Sequence, residues 1–245
     1  MRWTGPLESA ALLTLLRVPA RAAASTRGVL PWAPLVGLVL GAPAVAAATA
    51  GGRLVSPLTG AVLFVAVLAV LTRGLHLDGL ADTADGLGPL RGRERALQVM
   101  RQGDVGPFGV VTLLLVVLLQ VAAAAALLEA DRGWTALWAA PFVARLAMAR
   151  TGLPGVPMAA GSALGRSVAG TVSVRWLAGW VFLTAALLTV AGPTLLVSAL
   201  AGVVAAELLL RRARARLGGV TGDVMGAMGE TAAVTLLVAA AALPW

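Results

Sequence analysis

The sequence predicts an all-α polytopic membrane protein with about seven transmembrane helices and an N-terminal interfacial helix. Hydrophobic residues make up 59% of the chain and charged residues only 12%, whereas a soluble domain carries about 25% charged residues. The mean hydropathy of +0.91 agrees with this. Seven apolar runs approach or exceed the length that crosses a bilayer. We therefore interpret residues 1–245 as a single integral membrane domain.

The seven runs are separated by Gly, Pro or charged residues, as expected for helices joined by short loops. They cover residues 32–50, 57–75, 107–128, 134–150, 175–191, 193–210 and 229–245. Residues 8–18 are apolar but too short to span, and Arg and Pro follow them. This segment is predicted to lie on the membrane surface as an interfacial helix.

The distribution of Arg predicts the orientation. All 19 basic residues are Arg, and a seven-span topology places 17 of them on the side of the N-terminus. Only Arg53 and Arg132 fall on the other side. This asymmetry predicts a multi-pass membrane protein with the Arg-rich loops in the cytoplasm. The bias to Ala, Arg, Gly and Val, without Lys or Tyr, is typical of GC-rich bacterial coding, so the expected location is a bacterial cytoplasmic (inner) membrane. The net charge of +8 is thus explained by membrane topology, and no nucleic-acid partner is expected. The chain has no Cys, which excludes disulfide and thiol chemistry.

The most informative segment is residues 76–86, His-Leu-Asp-Gly-Leu-Ala-Asp-Thr-Ala-Asp-Gly. Three of the eleven acidic residues of the chain, Asp78, Asp82 and Asp85, lie here at i, i+4 and i+7. On a helix this spacing puts the three carboxylates within an arc of about 60°. Because like charges repel, the pattern indicates one or two Mg²⁺ ions and a phosphate-bearing substrate. The alternative is a solvated acidic turn.

Two neighbours of the acidic motif are further candidates. His76 is the only His of the chain; it could orient a carboxylate, act as a base, bind phosphate, or be only an interfacial residue. Arg101 precedes a Gly-rich string that leads into the third run, where backbone N–H groups can meet an anion. Asp104 in that string is either the cap of the helix, which its spacing favours, or a fourth carboxylate on the metal side.

A second group of polar residues lies late in the chain. Asp223 and Glu230 are seven residues apart and would share a helix face, and Glu230 enters the last apolar run, where a carboxylate is costly. The alternative is a Gly-rich packing motif with Asp223 as a cap. Arg145, in the fourth run, is either a phosphate ligand or an anchor whose side chain reaches the interface. Glu207 is predicted to pair with Arg211.

These two constellations together resemble the cobalamin synthase family, the adenosylcobinamide-GDP ribazoletransferases, over nearly the full chain. The similarity is sharpest at residues 74–86, and it recurs at residues 100–109 and 219–230. The resemblance implies a Mg²⁺-dependent membrane enzyme of late vitamin B12 assembly. It would join α-ribazole, or its 5′-phosphate, to adenosylcobinamide-GDP, giving adenosylcobalamin, or its 5′-phosphate, and GMP.

The resemblance also suggests roles for the candidate residues. The expected metal ligands are Asp78, Asp82 and Asp85. The expected catalytic residues are His76, Asp82 and Arg101. Substrate binding falls to Arg101, Arg145, Asp223 and Glu230. The chain departs from the family pattern at Gln102, where the family often has Asp, and at Ala233, where it often has a second Glu.

Other functions remain open at this stage. A CDP-alcohol phosphotransferase or a prenyltransferase would also use Asp and Mg²⁺ at a membrane surface, although their motifs differ from this one. An ion-coupled transporter would explain intramembrane acids and short broken helices. Expected partners are the two substrates and the lipid bilayer. A homo-oligomer, or association with other enzymes of the corrinoid pathway, is left open.

Overall fold

The computed structural model describes residues 4–88, 90, 92–130 and 133–243, and this part of the chain is almost wholly helical. A single isolated bridge, between Met158 and Val220, is the β-type pairing in the described residues. The helices are α1 Gly5–Leu13, α2 Ala20–Ala23, α3 Val29–Leu54, α4 Pro57–Leu71, α5 Leu75–Leu87, α6 Arg93–Val99, α7 Pro107–Glu129, α8 Trp134–Ala149, α9 Ala163–Val168, α10 Val174–Ala191, α11 Pro193–Leu217 and α12 Gly222–Ala242.

The all-α polytopic fold predicted from the sequence is confirmed. Within the described residues each of the seven apolar runs falls mainly on one helix. Five of these helices are long and apolar enough to span a membrane alone: α3, α7, α10, α11 and α12. The difference from the predicted count arises because α4 has 15 residues and α8 has 16. Joining α4 and α5 across their 90° bend gives a sixth candidate.

The bend between α4 and α5 has a local backbone cause. Arg73 and Gly74 have φ angles of 55° and 67°, in the left-handed region that ends a helix. The acidic motif is helical, as its spacing suggested, and it forms α5. Three carboxylates on 13 residues are incompatible with a lipid-facing position in hydrocarbon. We therefore place α5 outside the membrane-spanning segments, at the membrane surface.

The N-terminal segment also forms a helix, α1, but it begins and ends earlier than predicted. It packs against the start of α3 through a buried carboxylate. Glu8 accepts hydrogen bonds from the backbone nitrogen of Gly28 at 2.7 Å and from the Ser25 hydroxyl at 2.8 Å. This contact fixes α1 to the first long helix. The basic segment after the acidic motif forms α6, whereas Arg91, like Pro89 and Arg132, lies outside the described residues.

The centre of the fold is α12, which contacts α5, α7, α8 and α11. Small residues permit these contacts. A Cβ atom at Gly202 of α11 would lie 2.5 Å from the carbonyl oxygen of Ala232 in α12. Such close backbone approach is typical of helix pairs in membranes. The first half of α12 is consequently enclosed, and the polar residues on it face other helices.

Candidate active site

The helix with the acidic motif and the last helix are in backbone contact. A Cβ atom at Gly79 of α5 would lie 2.7 Å from the carbonyl oxygen of Asp223, and one at Gly226 of α12 would lie 3.1 Å from the Cα of His76. Only glycine fits at Gly79 without movement of one helix. The two segments singled out in the sequence therefore lie side by side, and their acidic side chains share one site.

The shared site is a cluster of carboxylates centred on Asp82. Its side chain is half-buried, and Asp78 and Asp223 are its nearest electrostatic neighbours, with Asp85 and Asp104 contributing less. Burial first, and then these negative charges, raises the pKa of Asp82 to about 7. The ion pairs of the described residues join Arg150 and Arg211 to Glu207 and involve no residue of this cluster. The cluster thus has the charge of a cation site.

The donor set fits Mg²⁺ bound jointly by protein and substrate. In the described residues no three His, Asp or Glu side chains form a group that could by itself hold a metal ion. Mg²⁺ does not require one, since it is usually held by one or two carboxylates together with waters and substrate phosphates. Asp78 is exposed and Asp82 half-buried one helical turn away. Both can therefore reach an ion that a phosphate approaches from solvent.

Asp85 has a different position from the other two Asp of the motif. It is buried, and its two oxygens accept hydrogen bonds from the backbone nitrogens of Gly106, at 2.7 Å, and Gly109, at 3.0 Å. These are the N-cap and the third residue of α7. A Cβ atom at either glycine would collide with the carboxylate. Asp85 therefore caps α7 from a neighbouring helix.

This arrangement corrects the prediction for Asp104. The N-cap of α7 is Gly106, and no side chain of α7's own leading segment caps it. Asp104 is exposed in the turn before it. The physical reason is that Asp85 already occupies the amide nitrogens that a capping side chain would bind.

His76 faces away from the carboxylates of its own helix. Its ring is 2% exposed, and Nδ1 lies 3.4 Å from a terminal guanidinium nitrogen of Arg145, on α8. Arg145 is itself 4% exposed, so it does not reach the interface as an anchor would. Neither Nε2 of His76 nor Nε of Arg145 has a hydrogen-bond partner. These two predicted site residues form a buried contact that is separate from the Asp cluster.

Glu230 lies on the far side of the same buried contact. It accepts a hydrogen bond of 2.7 Å from the amide of Gln120 on α7. Glu230, Gln120 and Arg145 line a common cavity of about 30 Å³, and Ala233 borders it too. That volume holds about one water molecule, so no substrate fits. Gln120 was not among the site residues predicted from the sequence, although a lone amide within a 23-residue apolar helix is a signal for it.

Arg101 contacts the loop that precedes α9. Its guanidinium donates to the carbonyl oxygen of Ala160 and packs on Gly161, whose φ is 77°. The same loop bonds to the segment before α12, because the Ala159 nitrogen donates to the Val220 oxygen at 3.0 Å. Arg101 is therefore linked to the Asp223 end of α12 through residues 157–162 rather than by direct contact.

Asp223 lies in the first turn of α12 but does not cap it. The N-cap is Thr221, whose hydroxyl accepts from the Val224 nitrogen at 3.2 Å and donates to the Asp223 carboxylate at 3.1 Å. The alternative reading of Asp223 as a cap is therefore wrong. Its carboxylate stays available beside Asp78 and Asp82.

Comparison with known proteins decides the family. A family model described as cobalamin-5-phosphate synthase matches residues 6–241. The chain belongs to this family.

Curated relatives agree with the family model. Proteins named adenosylcobinamide-GDP ribazoletransferase include one from Frankia casuarinae, 42% identical over 71% of this chain and 68% of the relative. One from Chlorobium chlorochromatii is 35% identical over 94% of this chain and 93% of the relative. One from Chlorobaculum tepidum is 36% identical over 96% of this chain and 95% of the relative. No solved structure matches.

The family membership inferred from the three motifs is thus confirmed, and the chain is an enzyme of cobalamin synthesis. The family motifs at residues 74–86 and 219–230 correspond to the two helices in backbone contact. In this family member the acidic cluster lies where α5 packs against α12, after the 90° bend that follows α4.

Proposed function

We propose that this cobalamin synthase transfers the adenosylcobinamide phosphate group from adenosylcobinamide-GDP to α-ribazole or α-ribazole 5′-phosphate. The products are adenosylcobalamin, or its 5′-phosphate, and GMP. The observation that carries the proposal is the cluster of Asp78, Asp82 and Asp223 at the contact of α5 and α12. Relatives with the name of this activity match nearly the whole chain, which supports the choice of substrates.

The cluster is proposed to hold Mg²⁺, which would neutralise the diphosphate of the activated corrinoid. We assign its binding to Asp78, Asp82 and Asp223. Asp85 is left out of this set because both of its oxygens already accept backbone hydrogen bonds. In this ligand set Asp223 replaces Asp85, which was the third ligand expected from the sequence.

The reaction forms one P–O bond and breaks another. A ribose hydroxyl attacks the cobinamide-side phosphorus, and the bond to the GMP oxygen breaks in line with it. The hydroxyl proton passes to a carboxylate of the cluster rather than to His76, because His76 is enclosed against Arg145. Arg101, fixed by the Ala160 carbonyl, is exposed at its other side and can balance charge on the diphosphate.

Arg145 and Glu230 act at a distance from substrate in this proposal. They line a cavity for about one water, so they support the helices that carry the cluster rather than contact the diphosphate. The active site is proposed to face the cytoplasm of a bacterial inner membrane. Both nucleotide substrates are water-soluble, and the positive-inside asymmetry of Arg supports this side.

Release of GMP by the purified protein tests the proposal. Asp82→Asn keeps the side-chain shape but removes the charge, and we expect it to lower the rate of GMP release at least about 100-fold. Glu94→Gln removes a carboxylate from α6, outside the cluster, and should leave the rate unchanged. Wild-type activity in Asp82→Asn, or full activity in excess chelator, would refute the assigned site. Turnover of CDP-alcohol donors instead of adenosylcobinamide-GDP would refute the assigned substrates.

A further inference from the structure

A second large cavity lies between α10 and the helices beside it. A groove of about 400 Å³ runs between α10 on one side and α8 and α11 on the other. Its walls are aliphatic, and they include Val181, Ala185, Leu188, Leu200, Val203 and Val204. The hydroxyl that lines it, on Thr184, already donates to the carbonyl oxygen of Trp180 at 2.6 Å. The body of the groove therefore offers an occupant apolar contact and no hydrogen bonds.

α10 packs against α3, α8 and α11, and the contacts with α3 and α8 include specific side-chain interactions. The indole nitrogens of Trp176 and Trp180 both donate to the carbonyl oxygen of Pro31, at 2.8 and 3.0 Å. Trp180 also packs edge-on against Phe142 of α8. These contacts hold α10 against α3 and α8. The groove remains in the space between α10, α8 and α11.

One end of the groove is positively charged. Arg150 and Arg211 both contact the carboxylate of Glu207, each with its Nε at 3.5 Å, so that two guanidinium groups share one negative charge. Arg150 and Glu207 line the groove itself. The other end, at Gly192 and Pro193, carries no charged residue. The groove therefore complements an amphiphile with an anionic head group, since it has one positively charged end and an apolar body.

We propose that this groove binds one anionic phospholipid, with an acyl chain along α10 and the phosphate at Arg150 and Arg211. Guanidinium groups bind phosphate by paired charge-assisted hydrogen bonds. The acyl chain matches walls that have no polar group to satisfy. The groove lies among helices that span the membrane, so the phosphate end falls where α10 begins and α11 ends.

A second copy of the chain is a poorer occupant. Two copies inserted in the same orientation pair about an axis along the membrane normal, so each surface meets its own equivalent. Such a dimer would bring the Arg150–Arg211 ends together at the same depth. The repulsion of like charges opposes it, whereas an anionic lipid headgroup neutralises the same charges.

Native mass spectrometry of the full-length protein in detergent tests the proposal. The probes are phosphatidylglycerol and phosphatidylcholine with identical acyl chains. We expect one phosphatidylglycerol per chain, bound at least about fivefold more tightly than phosphatidylcholine. Arg211→Gln should weaken phosphatidylglycerol about fivefold and leave phosphatidylcholine unchanged. Ala185→Phe fills the groove and should weaken both lipids.

Matched control variants distinguish the groove from the general surface. Arg212→Gln removes the same charge from a residue about 140° around α11 from Glu207, and Ala186→Phe adds the same bulk at the next, exposed position of α10. Neither should change lipid binding. Unchanged GMP release shows that each variant is folded. Equal losses in variants and controls, or a dimer that Ala185→Phe dissociates, would overturn the proposal.

Discussion

The carboxylate of Asp85 lies 2.7 Å from the backbone nitrogen of Gly106, so a residue of the acidic motif caps the first turn of another helix. With Gly109 as its second donor, Asp85 joins α5 to α7 at the base of the active site. This relationship divides the motif. Asp78 and Asp82 remain available to a cation, whereas Asp85 fixes the helix that presents them.

Removal of this cap should lower stability more than metal affinity. We expect Asp85→Ala to lower the free energy of unfolding by about 1–3 kcal/mol, because two buried N–H groups lose their acceptor. Thermal unfolding in detergent measures this, and the exposed Asp104→Ala is the control. If Asp85→Ala weakened Mg²⁺ binding as much as Asp82→Asn and left stability unchanged, Asp85 would be a ligand instead.

A side chain larger than Gly at the contact of α5 and α12 should disrupt the active site. Gly79→Ala places a methyl group against the backbone of Asp223, and we expect it to reduce GMP release at least about 100-fold by displacing the Asp cluster. Gly92→Ala has open space around its Cβ position and should be neutral. Activity assays with the two variants at equal folded concentration compare them. A fully active Gly79→Ala would show that the helices need not touch.

The buried charges Arg145 and Glu230 should be coupled. Removal of one leaves the other uncompensated in an apolar interior, and we expect Arg145→Met or Glu230→Gln each to cost about 3–5 kcal/mol. The double variant should be more stable than the sum of the single losses implies. A thermodynamic cycle from unfolding measurements tests this. Strictly additive losses would contradict a shared network.

The stabilising effect of Mg²⁺ should depend on pH. The pKa of Asp82 is raised from 3.8 to about 7, so between these values the folded protein binds more protons than the unfolded one and unfolding becomes easier as pH rises. A bound cation would offset the negative charge that Asp82 acquires when it loses its proton. We expect Mg²⁺ to raise the unfolding midpoint more at about pH 8 than at about pH 5. Calorimetry with and without MgCl₂ measures this, and an equal effect at both pH values would count against it.

The local features of the fold could be predicted from the sequence. Apolar runs became helices, and the spacing of the acidic motif placed Asp78 and Asp82 on one helix, because both signals depend on neighbouring residues. The role of Asp85 could not be predicted, since its partners begin 21 residues later. The partner of Arg101 is 59 residues away, in a loop without a motif. The count of spans differed because α4 and α8 are shorter than their apolar runs suggested.

The most direct test of the central claim is a titration of the purified protein with Mn²⁺, followed by electron paramagnetic resonance. Mn²⁺ stands in for Mg²⁺ and reports each bound ion. We predict binding at the Asp78–Asp82–Asp223 cluster that weakens at least about tenfold in Asp82→Asn, from the loss of one charged ligand, and is unchanged in Glu94→Gln. Equal affinity in all three proteins would contradict the claim that the contact of α5 and α12 forms the metal site.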